Sequence, residues 1–314
     1  MKILKHSQSA SGIGYIACAY LMWGILPVYW KLLQNVPPLQ ILAHRIAWAF
    51  AFLLALLLVT GKFKAFCDET VQIARQPRKM ATVFVVAVIL NLNWLTYIWA
   101  VNSDHIVQTS LGYYINPLVS VLLGVIVLKE RLSMWQLIAF LLAAAGVFSL
   151  TVQYGAFPWV AIVLAVTFGL YGLFKKMVNI GSITGLTLET LLTCTFAVPY
   201  IAYVIHTGSS SFGFSLAPVN LLLMGAGAVT AIPLVLFAAG TKLLPLVAVG
   251  FLQYISPTIT LLLGVMVYHE PFTRGHLLSF GFIWVGLLLF SLSRTRLFVR
   301  LEDKITQSAG EFKA

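Results

Sequence analysis

Apolar runs of roughly 20 residues, each long enough to cross a hydrocarbon core of about 30 Å as a helix, alternate along this chain with short polar connections. The runs lie near residues 12–33, 39–60, 80–101, 106–128, 134–152, 157–176, 184–205, 218–240, 246–268 and 276–293. Ten runs predict an all-α integral membrane protein of ten transmembrane helices, with both termini on one side. No connection is long enough to be a domain. The stretch 61–79 carries Lys62, Lys64, Asp68, Glu69 and Arg75 and predicts a short surface helix, while the Ser- and Gly-rich stretch 206–217 predicts a flexible outer loop. Lys2, Lys5 and His6 precede the first run in the manner of a signal peptide, but its length and the similar runs after it mark a retained span.

Composition agrees with the pattern. Of 314 residues, 60% are hydrophobic and 9% charged, against about 25% charged in soluble proteins. So few charges cannot cover a water-soluble fold, and lipid must replace the missing polar surface. The formal charge of +11 needs no anionic polymer, because the basic residues sit between the runs. With a cytoplasmic amino terminus, 17 of the 20 Lys and Arg residues fall on the cytoplasmic side, with Arg274 alone in an outer loop. The positive-inside rule therefore predicts both termini cytoplasmic, and nucleic acid is excluded as a partner. Cys18, Cys67 and Cys194 suggest neither a disulfide framework nor a metal site.

The chain also repeats itself. A shift of 140 residues lays Tyr114-Ile115-Asn116-Pro117 on Tyr254-Ile255-Ser256-Pro257, Leu122-Leu123-Gly124-Val125 on Leu262-Leu263-Gly264-Val265, and Glu130 on Glu270. A shift of 144 lays Lys31 on Lys175, Asn35 on Asn179 and Arg45 on Glu189. The expected organisation is a cytoplasmic segment 1–11, five-helix repeats over 12–152 and 157–293, and a basic cytoplasmic tail 294–314. Five is odd, so the second repeat is inverted, as in secondary transporters that alternate access around a midplane site.

Several motifs carry a resemblance: Trp23-Gly24-Ile25-Leu26-Pro27-Val28-Tyr29-Trp30-Lys31, His44-Arg45, Asn93-Trp94-Leu95-Thr96-Tyr97-Ile98-Trp99-Ala100-Val101-Asn102 and Ser110-Leu111-Gly112-Tyr113-Tyr114-Ile115-Asn116-Pro117-Leu118. With the five-plus-five arrangement, the chain resembles the RarD subfamily of the EamA-type drug/metabolite transporters over essentially its whole length. The resemblance implies a bacterial inner-membrane permease, often described as an exporter and commonly named for chloramphenicol sensitivity. That name is a label and assigns no substrate.

Charges inside spans are costly and usually face a cavity or a partner. Arg45 lies roughly 9 Å below the outer surface, at 1.5 Å per helical residue. Glu189 lies about as deep below the inner one, too far away for a direct salt bridge to be assumed. Either could hold a charged substrate group or lock a gate, and Glu189 and His44 are the candidates for proton coupling. The alternatives are snorkelling for Arg45, a structural hydrogen bond for Glu189 and ordinary hydrogen bonding for His44. Tyr113, Asn116 and Ser120 share one helical face, and their repeat counterparts Gln253, Ser256 and Thr260 are polar too. A shared cavity lining is expected there, with helix–helix hydrogen bonding as the rival. Asn93 and Tyr97 share a face and are further substrate contacts. Pro117 and Pro257 each remove a backbone donor and are candidate kinks or hinges. Lys31 and Lys175 are expected to anchor at opposite interfaces, and Glu130 and Glu270 to be structural.

No His-Glu-x-x-His, paired intramembrane aspartates, Asp-rich diphosphate motif or Walker sequence is present, so neither an enzyme nor a nucleotide-driven pump is expected. No catalytic residue, metal or cofactor is assigned. The expected function is alternating-access export of a small amphipathic or zwitterionic molecule, with protons as a candidate coupling ion and the lipid bilayer as the other partner. An uncoupled facilitator, an intramembrane enzyme and a non-transporting receptor are the alternatives.

Overall fold

The computed structural model describes residues 2–103, 105–213, 218–269, 273–293 and 295–311. Glu270, part of the 206–217 loop, and Arg294 and Lys313 of the charge census lie outside these residues. The described chain is helical: α1 (Lys2–Lys31), α2 (Pro38–Val59), α3 (Phe63–Ala74), α4 (Pro77–Asn102), α5 (Ile106–Ile126), α6 (Met134–Tyr154), α7 (Trp159–Met177), α8 (Ser182–His206), α9 (Pro218–Leu243), α10 (Leu246–Gln253), α11 (Ile255–Met266), α12 (Arg274–Leu292) and α13 (Arg296–Glu311). Ten candidate membrane spans match the ten apolar runs, with α10 and α11 together making the ninth. The two remaining helices are short or polar: α3 is the surface helix read from 61–79, and α13 gives the basic tail a helical, strongly one-sided form.

The ninth span differs from the single run read in the sequence. It is divided at Tyr254, three residues before Pro257, whose missing amide hydrogen leaves the Gln253 carbonyl without its helical partner. The related Pro117 sits inside an unbroken α5. There the α10 backbone comes so close that a Cβ on Gly250 would stand 2.8 Å from the Pro117 carbonyl oxygen.

The halves pack mainly against one another. The most extensive contacts pair α6 with α12, α5 with α7, α2 with α9, α1 with α9, α2 with α8, α5 with α10, α4 with α7 and α1 with α11. Exchanging each helix for its repeat counterpart maps this set of contacts onto contacts that are also present, α2–α9 for instance onto α8–α4. The α6–α12 seam shows how apolar helices associate where no hydrophobic effect separates them from lipid: small residues let the backbones approach. A Cβ on Gly146 would stand 2.5 Å from the Ser279 carbonyl oxygen, and Gly286 lies against Ala139 and Ala143, both fully buried. These alanines pack within the chain. Turns also repeat: Lys129 after α5 and His269 after α11, 140 positions apart, both have positive φ (56° and 55°).

Ten crossings put the start of α1, helix α3, the α5–α6, α7–α8 and α9–α10 turns and the start of α13 on one face, called here the amino-terminal face.

Candidate functional site

Arg45 and Glu189 are each the eighth residue of their helices, α2 and α8, which begin at Pro38 and Ser182. These spans run in from opposite faces, so the two charges lie in opposite halves of the bilayer, each roughly 10 Å below its own face.

Around Arg45 the neighbours are aromatic. Its Cζ stands 4.2 Å from the centre of the Trp94 ring and 5.7 Å from that of Trp30. Tyr97 and Tyr113, ring centres 6.4 Å apart, are within electrostatic range of the guanidinium. Tyr113 keeps half its surface open (50%). Arg45 enters no ion pair with the described residues, and its Nε has no hydrogen-bond partner. Its cationic face is covered by Trp94, a cation–π contact contributing on the order of 1–2 kcal/mol when desolvated.

Trp94 also packs against a second aromatic group, in which Tyr20, Trp23, Phe168, Tyr171 and Phe237 form one continuous contact set with ring centres 5.5–6.1 Å apart. Tyr20, Tyr171 and Phe237 are fully buried. The cluster draws on α1, α7 and α9.

Beside this cluster, Glu189 is paired with Lys175 and both side chains are buried. Lys175 is therefore not the interface anchor expected from its place near the end of a span. Its ammonium turns inward because a buried carboxylate 14 residues on, across the α7–α8 turn, needs a charge partner. Its Nζ also stands 5.3 Å from the Tyr171 ring centre, joining the pair to the aromatic cluster. A small pocket lies at the pair, with Gly185, Ala238 and Lys242 in its wall beside Lys175 and Glu189 themselves. Lys242 donates to the Ile180 carbonyl. Lys31, the counterpart of Lys175, is exposed and lies 3.6 Å over the Tyr268 ring.

The other predicted site residues separate into groups. The Asn93 amide donates to the Leu164 carbonyl (2.9 Å) and to Thr167 Oγ1 (2.8 Å), tying α4 to α7. Ser120 donates to Gln253 Oε1 at 3.5 Å across the α5–α10 contact, and both are buried. Asn116, also buried, has an Oδ1 with no partner. Ser256 is half-buried, and Thr260 is exposed and donates to the Gly24 carbonyl at 3.3 Å. The stripe on α5 and its counterparts thus divide: Ser120, Gln253 and Thr260 make helix contacts, while Tyr113 is half-exposed beside Arg45. His44 is buried and stacks on Phe212 at 5.0 Å, with no hydrogen bond to either ring nitrogen.

Sequence reading missed the role of the glutamates at the amino-terminal face. Glu69 of α3 accepts from the Gly181 amide (2.7 Å) and the Thr184 hydroxyl (2.5 Å) at the start of α8. Glu130 accepts from the Leu246 and Val247 amides (2.7 and 2.8 Å) at the start of α10. Glu302 of α13 accepts from the Met134 amide (2.7 Å) at the start of α6. Each carboxylate satisfies amides that have no partner in their own helix and meets the positive end of the helix dipole. Gly124 makes room for one of them, since a Cβ there would stand 2.9 Å from Glu130 Oε2. The spacing of Glu130 from its own helix gave no signal, because the capped helix is 116 residues away.

Known proteins resemble this chain over nearly its whole length. The EamA-like transporter family matches it twice, over residues 10–152 and 158–292. "Uncharacterized transporter YojE" of Bacillus subtilis (strain 168) is 46% identical over 296 residues, covering 93% of this chain and 97% of that protein. "Protein RarD" of Escherichia coli (strain K12) is 38% identical over 283 residues, 90% of this chain and 94% of that one. "Chloramphenicol-sensitive protein RarD" of Pseudomonas aeruginosa is 29% identical over 290 residues, 92% and 96% respectively. A solved structure described only as "Crystal structure of protein" superposes with a TM-score of 0.68 at 19% identity, covering 92% of this chain and 99% of the other, and shows the same fold.

Proposed function

The chain belongs to the EamA-like transporter family, in its RarD branch, and from that premise we propose that it exports a small amphipathic or zwitterionic metabolite or drug by alternating access between two inverted repeats. It is a multi-pass protein of the bacterial inner membrane, and membership of a transporter family sets aside the reading as an intramembrane enzyme. The charge census supports cytoplasmic termini, so the amino-terminal face is read as cytoplasmic.

One observation carries the reading: Arg45 and Glu189 occupy the same position, the eighth residue, in related helices that enter from opposite faces. Paired sites of this kind suit a carrier that exposes one substrate path to either side in turn as the halves rock. Arg45 with Trp94, Trp30, Tyr97 and Tyr113 supplies aromatic surface and a cation for a substrate with an apolar body and polar handles. Glu189 is the candidate coupling group, with His44 as a second titratable side chain in the membrane. The ion pair favours a second reading, an uncoupled facilitator, because Lys175 already balances the carboxylate charge.

Uptake of labelled amino acids, chloramphenicol and small metabolites into inside-out vesicles tests this, with and without an imposed proton gradient, in wild type and Glu189→Gln. Gradient-driven accumulation lost in the variant supports proton-coupled export. Uptake indifferent to both supports the facilitator. No uptake above empty vesicles for any compound counts against the transport assignment.

A further inference from the structure

The repeat makes an asymmetry of charge visible. In the second half Lys175 and Glu189 neutralise each other. Their counterparts 144 positions earlier, Lys31 and Arg45, are both cations, so the first half cannot form the equivalent pair. Lys31 is placed over Tyr268. Arg45 is left with aromatic faces, no ion pair among the described residues, and an Nε without an acceptor.

An aromatic face meets the charge of a guanidinium but none of its N–H groups, which lie in its plane and point from its edge. A cation kept at this depth in a bilayer ordinarily has an acceptor for those protons. Here the groups in electrostatic range are the phenols of Tyr97 and Tyr113, and Tyr113 is half-exposed. Resting on the transport reading above, we infer that the missing acceptor is the cargo: Arg45 is the specificity site for a small organic carboxylate, whose apolar body lies against Trp94, Tyr97 and Tyr113. Two parallel N–H···O bonds fit a carboxylate to the guanidinium edge while Trp94 keeps its face. A neutral amide of the same body forms weaker bonds, and a purely cationic cargo is repelled. A zwitterion fits equally, with its ammonium near the tyrosine rings.

The test uses acid and amide pairs of one body, phenylacetate with phenylacetamide and phenylalanine with phenylalaninamide. Binding is followed by the intrinsic tryptophan fluorescence of the full-length protein in detergent, and uptake in proteoliposomes. Wild type is expected to bind the acids about tenfold or more tightly than the amides, Arg45→Gln to lose the preference, and Arg45→Lys to keep part of it with melting behaviour like wild type. Equal binding of acid and amide by wild type, no binding of either acid, or an unchanged preference in Arg45→Lys and Arg45→Gln overturns the inference. Should Arg45→Gln fail to fold, the Arg45→Lys comparison decides alone, an undiminished preference counting against the site. Arg45-dependent binding of acids without uptake would leave the site standing and sink the transport reading. Uptake of amides as fast as acids, indifferent to Arg45, would do the reverse.

Discussion

Glu130 and Lys176 stand 3.9 Å apart across the turn between α9 and α10. The carboxylate holds the first amides of α10, and the ammonium holds the Leu244 and Thr241 carbonyls at the end of α9. Each charge meets the helix end whose dipole it complements, so three favourable terms converge on one turn. Because Glu130 follows α5 and Lys176 ends α7, the clasp joins the two halves at the amino-terminal face.

Removing that clasp is expected to loosen the face. Glu130→Gln should cost about 1–2 kcal/mol, mostly through the lost cap. A double-mutant cycle with Lys176→Met should return a coupling of roughly 0.5–1 kcal/mol, since the pair is partly exposed. Thermal melting of the four proteins in one detergent checks this, and strict additivity would show that the two groups act separately.

The buried pair behaves differently. Lys175→Met leaves Glu189 without its charge partner and should destabilise the protein by about 3 kcal/mol or more, whereas the double variant Lys175→Met/Glu189→Leu should recover much of the loss. Melting temperatures decide it: a double variant less stable than Lys175→Met would mean that the pair contributes net stability.

Asn93 is expected to act in packing. Asn93→Ala removes the α4–α7 bonds to Leu164 and Thr167 and should lower stability by roughly 0.5–1.5 kcal/mol, the range for hydrogen bonds between membrane helices. The apparent affinity for transported substrate should remain within about twofold, equivalent to some 0.4 kcal/mol. A larger loss in an uptake titration would put the amide in contact with the substrate.

At the α6–α12 seam a larger residue has nowhere to go. Gly146→Val would drive side-chain atoms into the Ser279 carbonyl and Ile283 and should cost about 1–3 kcal/mol or more through forced separation of the helices. The variant is expected to melt lower and to be extracted in smaller yield, whereas Gly281→Val, at a position with open space around it, should do neither.

Much of this was open to sequence reading for a simple physical reason. A bilayer of fixed thickness demands long apolar helices, so ten spans stand out, and any charge within one is costly enough to mark Arg45 and Glu189 as special. The repeat was equally legible, since the Tyr-Ile-x-Pro and Leu-Leu-Gly-Val segments recur at one spacing. The helical face shared by Tyr113, Asn116 and Ser120 was visible as well, because helical period alone sets it.

Partnership was a matter for the tertiary structure. Helical period says that Asn93 and Tyr97 share a face but not what the face meets. Packing turned Asn93 to Thr167 and Leu164, and brought Tyr97 within range of Arg45. Lys175 looked like an interface lysine until α8 carried a carboxylate back to it, and Glu130 looked like the end of its own span until α10 presented unpaired amides. The amino-acid sequence by itself determined where the chain crosses the membrane and which residues are costly there, because those are local properties of composition. Which costly groups meet was decided only by the fold, because charge pairing and helix capping act over a few ångströms between residues far apart in the chain.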